Sequence, residues 1–151
     1  MQLIPWILEQ VESHGCNNGE INSCCNIADI NSFTNKSTTQ NETGGISGRS
    51  QNITKNCYNM GKVNATSNQG TVQLGGISGI ITKNIENCYN VGKEKAKSSG
   101  NINVGGIVGV SSSKDSSITY CYDKGTIEME ESSSDANIGG ICGYIYGGRK
   151  Y

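Results

Sequence analysis

A five-residue phrase, Gly-Gly-Ile-x-Gly, recurs four times in this chain. It stands at Gly44–Gly48, Gly75–Gly79, Gly105–Gly109 and Gly139–Gly143, with starts 31, 30 and 34 residues apart. A second phrase, Asn-Cys-Tyr-Asn, lies between the copies at Asn56–Asn59 and Asn87–Asn90, with variants at Ser23–Asn26 and Tyr120–Asp123. Its cysteines, Cys24, Cys57, Cys88 and Cys121, are spaced by 33, 31 and 33 residues. Two positions beyond the phrase come Ala28, Gly61, Gly92 and Gly125, and two further on Ile30, Val63 and Ile127, a column that Glu94 breaks. Several blocks sharing one period make each unit a supersecondary element that buries its apolar side only by stacking on its neighbours.

Local chemistry selects the kind of stack. Helical repeats need amphipathic runs of about ten residues rich in Ala, Leu, Glu and Lys, and the chain has none. Gly, Asn and Ser supply 21, 18 and 18 of the 151 residues, and hydrophobic residues only 34%. Such a composition supports a folded core only where its few apolar residues are concentrated at fixed positions. Short β-branched segments broken by Gly, Asn and Ser suit strands and tight corners. The expected fold is all-β: a parallel β-solenoid of four to five coils of about 31 residues, three strands to a coil, stacked ~4.8 Å apart. The solenoid is expected over residues 15–143, with a cap or tail at 1–14 and a partial coil or tail at 144–151. In the first segment Pro5 suits a helix start, and a short helix presenting Ile4, Ile7 or Leu8, and Val11 would cover the first coil.

Spacing within the unit predicts which side chains face inward. Ile21, Thr54, Ile85 and Ile118 each precede the ladder cysteine by three residues. Positions three apart on a strand face opposite sides, so both are buried only if a corner resets the alternation between them. The residue before the cysteine, Ser23, Asn56, Asn87 or Tyr120, is the expected corner, because Asn tolerates the left-handed region. Cys24, Cys57, Cys88 and Cys121 then point inward, and Tyr58, Tyr89 and Tyr122 outward. Ile46, Ile77, Ile107 and Ile141 are expected in a second buried column, beside Gly45, Gly76, Gly106 and Gly140. Those glycines require either positive φ or a close backbone approach, whereas Gly100 reads as an unconstrained loop residue.

The combination Gly-Gly-Ile-x-Gly with Ile-x-Asn-Cys-Tyr-Asn-x-Gly-x-Val resembles the GLUG-motif repeats of large bacterial surface proteins, including regions flanking the peptidase domain of some IgA1 proteases. The resemblance covers residues 15–143 and departs from the pattern in the first unit and in insertions before Cys121 and Gly139. It implies a β-solenoid in an extracellular or cell-surface bacterial protein, and it carries over no catalytic residue.

Composition excludes some functions outright. A net charge of −1 and a pI near 5.8 give no basic face for nucleic acid. No apolar run approaches the ~20 residues that span a bilayer as a helix. Met1–Val11 lacks the basic start and the cleavage site of a signal peptide. Seven cysteines cannot all pair within one chain, and whether any pair is left open. A cysteine column is linear where a zinc site is tetrahedral, so no metal or cofactor is expected. Glu128, Glu130, Glu131 and Asp135 read as a solvated Ser-rich loop, and Lys93, Lys95 and Lys97 as its counterpart. Arginines stand only at Arg49 and Arg149 and the single histidine is His14, so the expected chain is non-enzymatic. It is a stalk, spacer or adhesive module whose partner is a host or cell-surface glycan or protein, and an open terminal coil suits end-to-end association. The alternative is a carbohydrate-binding module that uses the tyrosine column as its platform.

Overall fold

The computed structural model describes residues 15–35, 40–130 and 135–147. Within them the chain is an all-β solenoid of four coils whose strands stack in parallel as five sheets. The first strand of successive coils is Ile21–Asn22, Thr54–Lys55, Ile85–Glu86 and Ile118–Thr119. The second is Cys25–Asn26, Tyr58–Asn59, Tyr89–Asn90 and Tyr122–Asp123. The third is Ile30–Thr34, Val63–Ser67, Lys93–Ser98 and Thr126–Glu130, and the fourth Gln40–Gly44, Thr71–Gly75, Ile102–Gly105 and Ala136–Gly139. The fifth is Ser47–Ser50, Ser78–Ile81, Val108–Ser111 and Cys142–Ile145, with Cys16–Asn17 paired beneath the first of these.

Each coil therefore holds five short strands where three longer ones were expected. Two features divide it. Ser23, Asn56, Asn87 and Tyr120 have φ of 57, 55, 50 and 54°, which turns the chain between the first and second strands after only two residues. The Gly-Gly-Ile segment then folds the fifth strand back onto the fourth. The expected capping helix lies outside the described residues. At the other end, the last strand extends through Ile145, two residues past the expected boundary.

Two apolar clusters fill the section. One holds Ile30, Val63, Ala65, Val72, Leu74, Ala96, Ile102 and Val104, between the third and fourth strands. The other joins Ile77, Ile81, Ile85, Ile107 and Val108 with Cys57 and Cys88. The isoleucine column follows the backbone ladder: Ile46 N–H donates to Ile77 O, Ile77 to Ile107 O, and Ile107 to Ile141 O, at 2.9, 3.0 and 3.0 Å. Ile77 and Ile107 are fully buried, but Ile46 is only half-buried and Ile141 is exposed. The column was expected to be buried along its length; burial fails at its ends because a coil is covered only where another stacks on it.

The paired glycines answer to space and not to dihedral angle, since their φ values are not positive. A Cβ on Gly76 would overlap the Gly106 carbonyl oxygen and would stand 2.6 Å from Asn90 Nδ2. A Cβ on Gly79 would stand 2.6 Å from Thr43 N and 2.8 Å from Gln73 O, so the fifth strand lies directly on fourth-strand backbone. Gly100 departs from its expected freedom: a Cβ there would stand 2.6 Å from Gly70 O, because the turns between strands stack as tightly as the strands do. Gly140, at the motif position of Gly76 but in the last coil, has nothing within 4 Å. Gly76→Val should therefore cost about 3 kcal/mol by overpacking, whereas Gly140→Val should stay within ~0.5 kcal/mol of wild type. Urea titrations of the two variants check this, and equal midpoints would remove the close-packing account.

Candidate functional site

Alternation from the left-handed corner builds the outer strip. Cys57 turns in, Tyr58 out and Asn59 in, and the same order holds for Cys88, Tyr89 and Asn90. Register places Cys25, Tyr58, Tyr89 and Tyr122 in one line. The tyrosine rings stack face to face, with centroids 5.0 and 5.2 Å apart and planes 4° and 3° from parallel. The Lys124 ammonium sits 5.7 Å above the Tyr122 centroid. Ring faces are thus turned to one another, and solvent meets ring edges and hydroxyls. Exposed Ile27, Met60 and Val91 flank the strip on one side. On the other, Asn87 donates to Asn56 Oδ1 at 2.7 Å, and Asn56 to Asn22 Oδ1 at 3.0 Å.

Cys24, Cys57, Cys88 and Cys121 point inward, and all are free thiols. The middle pair is buried and the outer pair half-buried. Backbone N–H groups of Cys24 and Cys57 approach the sulfur one coil on, at 3.5 and 3.4 Å. Hydrogen bonding along the column pulls the Cys57 and Cys121 thiols down and pushes Cys88 up. Burial raises Cys24 and Cys142. Among the described residues, no three His, Cys, Asp or Glu side chains converge to hold a metal.

The charged segments are strands, not the loops expected. Lys93, Lys95 and Lys97 alternate with buried Glu94, Ala96 and Ser98, and the strand pairs with Thr126–Glu130. Lys93 reaches Glu128 at 2.5 Å and Lys95 reaches Glu130 at 2.6 Å, while Lys97 lies 3.9 Å from Glu130. Cross-strand pairing neutralises Glu128 and Glu130, and Glu131 lies outside the described residues. These exposed pairs contribute little to stability, each typically under ~1 kcal/mol. His14 and Arg149 also lie outside the described residues.

Two inward features went unread in the sequence. The first is an amide ladder: Asn26 Nδ2 donates to Asn59 Oδ1, Asn59 Nδ2 to Asn90 Oδ1, and Asn90 Nδ2 to Asp123 Oδ1, at 2.8, 2.7 and 2.7 Å. Its signal was the Asn two residues after the first three ladder cysteines, with Asp123 in that place after Cys121. The second is Glu94, fully buried in the column of Val63 and Ile127. Its Oε1 accepts from Asn90 Nδ2 at 2.6 Å, and its Oε2 has no partner. Burial and the neighbouring Asp123 carboxylate raise its pKa to about 8.

Searches against family models, curated proteins and solved structures found no significant match.

Because Glu94 holds its proton more tightly when folded, its contribution to stability is complete below about pH 4.5 and is lost as pH rises toward about 8. Through the middle of that window the loss should approach ~1.4 kcal/mol per pH unit. Urea titrations between pH 5 and 9 should show wild type falling relative to Glu94→Gln, which carries no titrating proton there. Parallel pH profiles would contradict a buried, protonated Glu94.

Proposed function

We propose that this chain is a non-catalytic repeat module that serves as a stalk or spacer and presents an adhesive strip along its length. The observation that carries the reading is the continuity of hydrogen-bonded columns through all four coils. Backbone ladders, the Asn26–Asn59–Asn90–Asp123 ladder and the outer Asn22–Asn56–Asn87 ladder each cross every boundary between the coils they join. A load applied along the axis is shared among many parallel bonds, which suits a spacer.

The same repetition supports the GLUG-like reading, and with it a place on a bacterial surface. The strip of Tyr58, Tyr89 and Tyr122 is the candidate contact face for a glycan or protein partner. Sugars bind aromatic side chains best on the ring face, and here the faces cover one another. Contact is therefore edge-on, through hydroxyls and the flanking amides, which favours a spacer with an adhesive edge over a dedicated carbohydrate platform.

Modularity supplies the test. Duplicating residues 61–91 inserts one 31-residue period in register. The long axis should grow by about 4.8 Å in small-angle scattering, with β-sheet circular dichroism retained. A duplicate extruded as a protease-sensitive loop would overturn the spacer reading. Glycan-array binding abolished in Tyr89→Ala, with the fold intact, would instead promote the carbohydrate-binding alternative.

A further inference from the structure

The cysteine column combines proximity, graded access and asymmetric ionisation. In-register parallel coils place neighbouring Cα atoms about 4.8 Å apart, inside the roughly 4.4–6.8 Å a disulfide spans. Each thiol hangs toward the coil beneath: Cys121 Sγ lies 3.8 Å from Ile85 O, and Cys88 Sγ 3.9 Å from Thr54 O. Cys57 and Cys88 are each 1% exposed, which closes them to any reagent from solution, while Cys121 is half-buried on the last coil. Cys24, half-buried at the opposite end, has its thiol raised by burial and so attacks poorly.

We propose that Cys121 and Cys88 form a reversible thiol–disulfide pair that locks the fourth coil to the third, oxidised by a small-molecule disulfide of the glutathione class. The Cys121 thiolate attacks one sulfur of that disulfide, forming a mixed disulfide and releasing one small thiol, which takes up the proton Cys121 lost. Capping Cys121 removes the neighbour that does most to push the Cys88 thiol up. Cys88 then loses its proton and attacks Cys121 Sγ, expelling the second small thiol, which takes up that proton. Two protein thiols are oxidised to one disulfide, and one small disulfide is reduced to two thiols. Parallel stacking at about 4.8 Å holds the two Cβ atoms just beyond the roughly 3.5–4.5 Å a disulfide prefers, so the corners must draw together and the bond is readily reversed. The lock acts where stacking is weakest, since Ile138, Ile141 and Ile145 of the fourth coil are exposed.

The experiment uses the full chain carrying Cys16→Ser, Cys25→Ser and Cys142→Ser, treated with oxidised glutathione near pH 8. Intact mass and non-reducing peptide mapping should show a Cys88–Cys121 link that dithiothreitol reverses. Adding Cys88→Ser should trap glutathione on Cys121, and adding Cys121→Ser should leave Cys88 a free thiol. Circular dichroism confirms that each variant keeps its β-sheet signal before treatment. A Cys57–Cys88 link, glutathione retained on Cys121 while Cys88 is present, or folded protein that does not react would each overturn the proposal.

Discussion

Inside this solenoid an asparagine side chain, or Asp123 in the last coil, must fit between two apolar clusters at every coil, and much of the unit is arranged around that fit. Each of Asn26, Asn59 and Asn90 passes an N–H to the next coil, at 2.8, 2.7 and 2.7 Å. The same oxygens bind backbone two residues on: Gly92 N–H donates to Asn90 Oδ1 at 3.1 Å and Gly125 N–H to Asp123 Oδ1 at 3.0 Å. A buried amide costs free energy unless fully bonded, and translation by one coil bonds it automatically. The opposing corner must yield the space. Cβ atoms on Gly45, Gly76 and Gly106 would run into Asn59, Asn90 and Asp123. The second glycine of one phrase and the last residue of the other are thus two halves of one contact.

Substitution along the ladder has local consequences that follow from its direction. Asp123 accepts but has no N–H to pass on, so it ends the run of donors. Glu94 then shares the Asn90 amide with Asp123, and burial beside the Asp123 carboxylate makes Glu94 hold its proton. A residue that reads as a defect in an apolar column is the site at which the stack becomes sensitive to pH.

Most of the fold was legible because a stacked coil makes side-chain direction periodic twice, along the strand and between units. The three-residue step from Ile85 to Cys88 demanded a corner, and positive φ at Asn87 supplies it. The tyrosine direction followed from the cysteine. One more step of the alternation would have placed Asn90 inside, but an amide is rarely expected in a core without a partner, and the partner lies 31 residues away. Lys93 to Ser98 read as a loop because charge hid a period-two pattern with Glu94, Ala96 and Ser98 inward. Gly100 read as free because one sequence does not show which turns stack. The ring stacking of Tyr58, Tyr89 and Tyr122 was likewise outside the sequence: outward direction is a matter of alternation, whereas face-to-face stacking follows from the coil spacing.

The claim that amide ladder and glycine corner form one unit is tested most directly by a double-mutant cycle on Gly76→Ala and Asn90→Ala. If the Asn90 amide is what excludes a Cβ at Gly76, removing the amide relieves part of the clash. The double variant should then be more stable than the sum of the single losses implies, by about 1 kcal/mol or more in urea titration. Additive losses would show that the glycine and the asparagine are independent requirements, and would contradict the account.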